Sequence, residues 1–77
     1  MNSQHEAILL RFPKYRDIII REIQENEEFE GLCEDYALCI EMLKSLEKDE
    51  QTKRASLEEY LEIKIELEQE MLKYLFK

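Results

Sequence analysis

Apolar residues recur along this chain at spacings of three and four, the period of an α-helix packed on one side. The clearest run is Phe29, Leu32, Tyr36, Cys39, Leu43 and Leu46, a heptad seam of nearly three repeats that Cys33 and Ile40 widen. Asn26 precedes it as an N-cap, and Glu27, Glu28 and Glu30 supply negative charge where the helix dipole favours it. Gly31 falls in the same first turn, where its low propensity costs little. The pattern predicts a first long helix over 26–48. Upstream, Ser3 to Glu6 reads S-x-x-E, a capping box opening a short helix that carries Ile8, Leu9 and Leu10. Pro13 ends it and can start the next, because a first turn tolerates a missing N–H. Tyr15, Ile19 and Ile23 then share a face, with Ile18 beside them. The β-branched Ile18-Ile19-Ile20 could be a strand by propensity, but no partner strand or hairpin turn lies nearby, so a helix is expected. Residues 3–25 are read as a short N-terminal helical arm.

From Glu47 to Ala55 no aliphatic residue is larger than alanine, which places a turn over 49–55. Ser56 can cap a last helix over 56–76, with Glu58 and Glu59 in its first turn. Residues 61–68, L-E-I-K-I-E-L-E, alternate as an amphipathic strand would. A helix is nevertheless predicted, because the run is single and Glu, Lys and Leu favour helices. Its flanks, Leu57 and Tyr60 before and Met71, Leu72 and Leu75 after, also keep helical spacing.

On a helical projection the apolar arc of this last helix spans roughly 220°, about twice the stripe that one packing partner needs. One flank holds Leu61, Ile65, Leu72 and Phe76, the other Tyr60, Ile63, Leu67, Met71 and Tyr74. Lys64 and Glu68, an i, i+4 pair, sit mid-arc and are read as a structural seam pair that fixes register. The expected fold is all-α, one domain over 1–77: an antiparallel, coiled-coil-like two-helix hairpin with the arm attached. In its register Leu46 faces Leu57, Leu43 faces Tyr60 or Leu61, and Tyr36 faces Leu67. Leu32 then faces Met71, and Phe29 faces Tyr74 or Leu75. The flank carrying Tyr60, Ile63, Ile65, Leu72 and Tyr74 is left as a candidate second interface, to be covered by the arm, a second copy or a foreign protein.

Charge narrows the list of partners. The formal net charge of −8 disfavours nucleic acid and anionic lipid. It is unevenly placed: Arg11, Lys14, Arg16 and Arg21 make the 11–21 segment basic, whereas 22–50 holds eleven acids against Lys44 and Lys48. That basic segment, with Phe12 and Tyr15 interleaved, carries the alternative reading of a nucleic-acid accessory. No run approaches the roughly 18 apolar residues of a membrane span, and no basic head with a long apolar run marks a signal peptide, so a cytoplasmic setting is expected.

Catalytic constellations are missing from the sequence. His5 is the single imidazole, and Cys33 and Cys39 are spaced too widely for a C-x-x-C redox motif. Six residues apart on one helix, the two cysteines lie roughly 9 Å apart along its axis, too far for a disulfide. Free buried thiols are expected. One glycine forbids a phosphate loop, and neither Glu-x-x-His nor calcium-loop spacing occurs. Glu58, Glu59, Glu62, Glu66 and Glu70 read as one solvated face. No cofactor, metal site or enzyme activity is expected.

F-P-K-Y-R-D-I-I (12–19), N-x-x-F-x-x-L (26–32), Y-x-x-C-I-E-M-L (36–43) and L-E-I-K-I-E-L-E-Q-E-M-L-K-Y-L (61–75) together resemble the YdcH-like family of small bacterial proteins, a domain of unknown function. The matching positions are Phe12, Pro13, Tyr15, Phe29, Leu32, Lys64, Leu67, Glu70 and Met71. Where that family usually has lysine and aspartate before the last glutamate, this chain has Glu68 and Gln69, and Cys39 replaces a leucine. The resemblance implies a bacterial cytoplasmic helical hairpin and implies no activity. The expected function is thus a protein–protein interaction or structural module, self-associating as a homo-oligomer (a dimer first) or serving an unidentified protein.

Overall fold

Pro13 and Asn26 punctuate the first half of the chain. A computed structural model describes residues 3–48 and 54–76, which form four packed α-helices. These are α1 (Ser3–Arg11), α2 (Arg16–Glu25), α3 (Glu27–Lys48) and α4 (Arg54–Leu75), with a 3-10 turn at Pro13–Tyr15 joining the first two. Before the proline, Phe12 leaves the helical region (φ −127°, ψ 65°), as the clash with the pyrrolidine ring requires. Asn26 is a one-residue joint. Its backbone N–H donates to Glu22 O at 2.8 Å and closes α2. Its side-chain Oδ1 accepts from the N–H groups of Glu28 (3.0 Å) and Phe29 (3.3 Å) and opens α3.

One boundary and one position within a helix differ from the sequence reading. Helix α4 begins at Arg54, so Ser56 lies inside the first turn and does not cap it. With Asn26 as cap, Gly31 sits one residue past the first turn of α3, where helix propensity already counts. The Ser3 side chain and residues 49–53 of the expected turn lie outside the described residues. Residues 61–68 and 18–20 are helical, and no strand occurs among the described residues.

Residues later in α3 meet residues earlier in α4. The rings of Phe29 and Tyr74 lie 5.6 Å apart, Tyr36 Oη reaches Glu68 Oε2 at 2.6 Å, and Cys39 Sγ donates to Tyr60 O at 3.3 Å. Helices α1 and α2 pack on one side of this pair, chiefly along α3. Ile8 and Ile19 are fully buried, in one cluster with Leu9, Phe29, Cys33, Tyr36, Met71 and Leu75. Each such aliphatic side chain contributes about 1.5–3 kcal/mol of burial, a large share in a chain this short. The core is shared by all four helices, with α1 and α2 packed chiefly on α3.

Two substitutions test this account. Ile8→Ala is expected to cost about 2–5 kcal/mol in urea unfolding and to leave a single cooperative transition; a peripheral arm would lose only local helicity. Gly31→Ala, whose added Cβ meets nothing within 4 Å, is expected to stabilise by about 0.5–1 kcal/mol, read as a raised melting temperature.

Candidate interaction surface

The seam of α4 carries a carboxylate. Glu68 is buried, with its side chain 11% exposed, and two donors and a third cation surround its Oε2. Tyr36 Oη donates at 2.6 Å from α3, Arg11 Nε donates at 3.0 Å from the last turn of α1, and Lys64 Nζ stands at 3.8 Å one turn back on α4. An ionised carboxylate at such a place is tolerable only with this coverage. The pair Lys64–Glu68 is thus one edge of a four-residue cluster that links α1, α3 and α4. The Tyr36 hydroxyl was legible in part: a tyrosine in an apolar seam needs a polar partner, and the expected register puts Leu67, next to Glu68, opposite it. Arg11 carried no such signal, since its role requires α1 to be docked.

Burial raises the proton affinity of the groups behind this cluster. The Tyr36 phenol is held well above its usual range, first by burial and then by its hydrogen bond to Glu68. The Cys33 thiol is pushed up to about 12 by burial, with Glu30 and Glu34 adding to it. Burial also raises the Cys39 thiol, which Lys64 partly offsets. Both cysteines are free thiols. Tyr74, which donates to Glu28 Oε2 at 2.9 Å, is raised first by that bond and then by burial.

The predicted seam residues fall into three groups. Phe29, Tyr36, Cys39, Leu43, Met71 and Leu75 are buried, and Leu32, Leu46, Leu57 and Leu67 are half-buried. Leu61 departs from the seam and is exposed. Helical geometry gives the reason: the core direction of α4 runs through Lys64, Glu68, Met71 and Leu75, and Leu61 stands off it on the outer flank. Of the candidate second interface, Tyr60, Leu72 and Tyr74 are half-buried, whereas Ile63 and Ile65 are exposed. The N-terminal helices cover the end of that flank near Leu72 and Phe76, where Tyr15 stacks edge-on against Phe76 with centroids 5.1 Å apart.

Two apolar faces stay open. On the side away from α1, a groove of about 370 Å³ runs between α3 and α4. Leu38, Met42 and Ile63 stand at its edges (61%, 42% and 43% exposed), over Cys39, Tyr60 and Leu67, with Asp35 at the rim. A second face holds Leu61 and Ile65 among Ala55, Glu58, Glu59 and Glu62. Cations gather elsewhere: Arg11, Lys44 and Lys64 line the depression beside α1, together with Leu10 and Ile40. Lys14, Arg16 and Arg21 are exposed, but Arg11, the fourth basic residue of the 11–21 segment, is engaged by Glu68.

Among the described residues no group of three His, Cys, Asp or Glu side chains could hold a metal ion. No described helix is long and apolar enough to cross a membrane. No family model, curated protein or solved structure matches the chain.

Because burial favours the neutral forms of Cys33 and Tyr36, the sign of their pH dependence is fixed. Their contributions are fully present below the unfolded values of 9.0 and 10.0 and are lost as pH rises above them, for Cys33 towards about 12. Unfolding free energy is therefore expected to fall steadily from pH 9 upward. Tyr36→Phe should flatten that slope while costing about 1–3 kcal/mol at pH 7, through the donor that Glu68 loses.

Proposed function

We propose that this chain is a non-catalytic protein–protein interaction module. In this reading α3 and α4 form an antiparallel hairpin, α1 and α2 brace one side of it, and the uncovered side is offered to another protein. The observation that carries the proposal is the apolar groove lined by Leu38, Met42 and Ile63. Single exposed apolar residues are ordinary, but several on one side of a helix pair mark a contact surface. The motif order that resembles the YdcH-like family supports the same hairpin framework. Two free buried thiols fit a reducing, cytoplasmic setting.

Charge turns the proposal towards a foreign protein rather than a second copy. Pairing two copies through either open face would set Glu58, Glu59 and Glu62, or the acids beside Ile63, against their equivalents at a net charge of −8. Nucleic-acid binding through 11–21 has less support, with Arg11 engaged by Glu68.

Two measurements test the module. Leu38→Gln and Ile63→Gln should each change unfolding free energy by no more than about 0.5 kcal/mol, as contact residues outside the core do. A loss of about 2 kcal/mol or more would make them structural and remove the reason for the proposal. A photoreactive benzoylphenylalanine at position 63 should then form protein adducts in cells that the same group at position 69 does not. Equal labelling at both positions, or none, would overturn it.

A further inference from the structure

On one side of the α3–α4 pair α1 packs along α3 and leaves a depression open towards Lys64 of α4. Helix α1 lies against the pair with Ile8 and Leu9 buried, and Arg11 ends it on the carboxylate of Glu68. The occupant of that side is thus an amphipathic helix with adjoining apolar residues and a cation that meets an acid. The opposite groove offers a similar apolar floor, Cys39, Tyr60 and Leu67, between the edges Leu38, Met42 and Ile63.

Its electrostatics differ in one respect. The cations of the pair that line a groove, Lys44 and Lys64, are on the α1 side. The open groove has Asp35 at its rim. On α4, Glu59 and Glu66 are exposed and project beside Ile63, being four before and three after it at helical spacing. Lys73, the cation of that end of α4, is taken up by Glu70 at 3.3 Å. An apolar trough edged by acids complements a helix with an apolar stripe and cationic flanks. Two copies joined groove to groove would set these acids against their equivalents.

We infer that the groove between α3 and α4 lined by Leu38, Met42 and Ile63 is the docking site for a basic amphipathic helix of a partner protein. This rests on the interaction-module reading and adds the chemistry of the partner to it. Apolar side chains of the incoming helix, three and four residues apart, fill the trough over Tyr60 and Leu67. Lysines or arginines on its flanks meet Asp35 on one edge and Glu59 and Glu66 on the other.

The test uses the full chain and three fluorescein-labelled synthetic peptides. One is an amphipathic helix with Leu at heptad a and d positions and Lys on the flanks. The second has the same composition scrambled to destroy the apolar stripe, and the third replaces Lys by Glu. Anisotropy titrations at low and physiological salt should show the first peptide binding about tenfold or more tighter than the scrambled one, with no binding of the acidic one. Met42→Ser and Ile63→Ser, each checked for an unchanged melting transition, should each weaken binding by about tenfold. Asp35→Asn combined with Glu59→Gln should reduce its salt dependence. Equal affinity for the scrambled peptide would reduce the effect to net charge and overturn the assignment. Binding unaffected by both serine variants would place the peptide elsewhere and do the same. Sedimentation equilibrium giving a dimer that Ile63→Ser dissociates would assign the groove to a second copy instead. Adducts at position 63 in cells together with no peptide binding would remove only the basic-helix assignment, whereas absence of adducts removes the module reading itself.

Discussion

The packing of this protein depends on covering one buried carboxylate. Glu68 occupies a position in α4 that apolar periodicity assigns to the core, and it can remain there because Tyr36, Arg11 and Lys64 converge on it. Removing the buried hydroxyl partner of such a carboxylate costs on the order of 1–3 kcal/mol, whereas the intact group need not add net stability over an apolar residue. Its consequence is geometric. Donors from two other helices, Tyr36 of α3 and Arg11 of α1, can meet one oxygen of α4 in few arrangements, so the cluster fixes where α1 sits and how α3 registers against α4. Half the surface of Arg11 is still exposed, so its part is weaker than that of the buried Tyr36 hydroxyl.

Placement of α1 then decides what the molecule shows to its surroundings. With α1 and α2 laid across one side of the α3–α4 pair, Ile8 and Ile19 are removed from water and Leu72 is partly covered. The other side keeps its apolar edges. Glu68 holds Arg11 and Lys64 on the covered side, and Asp35 stands at the rim of the open one. An interior polar cluster thus sets the sign of the surface that is free for a partner, which links the packing to the proposed function.

The helices themselves were legible along the chain. Heptad spacing from Phe29 to Leu46, the Asn26 cap with its acidic first turn, and Pro13 are local signals, and the structure has α3 and the proline break at those places. The strand-like alternation of 61–68 was resolved by its flanks and its composition. Boundaries without such chemistry were less legible: nothing between Glu47 and Ala55 punctuates the chain, and α4 starts two residues before the serine that could have capped it.

Sequence by itself determined that the chain is helical, that its thiols cannot pair, and that the apolar arc of α4 is too wide for one neighbour. These follow from periodicity and residue chemistry, which act within a few turns of one helix. Only the tertiary structure decided how the surplus apolar width was divided. It put Ile8 and Ile19 in the core rather than on an arm, turned Leu61 and Ile65 to the outside, and brought Arg11 to Glu68 from 57 residues away. Such choices depend on how separate helices share a limited interior and satisfy one carboxylate together. A pattern read along the chain marks the faces that must be covered, but the helix that covers each is selected by packing in three dimensions.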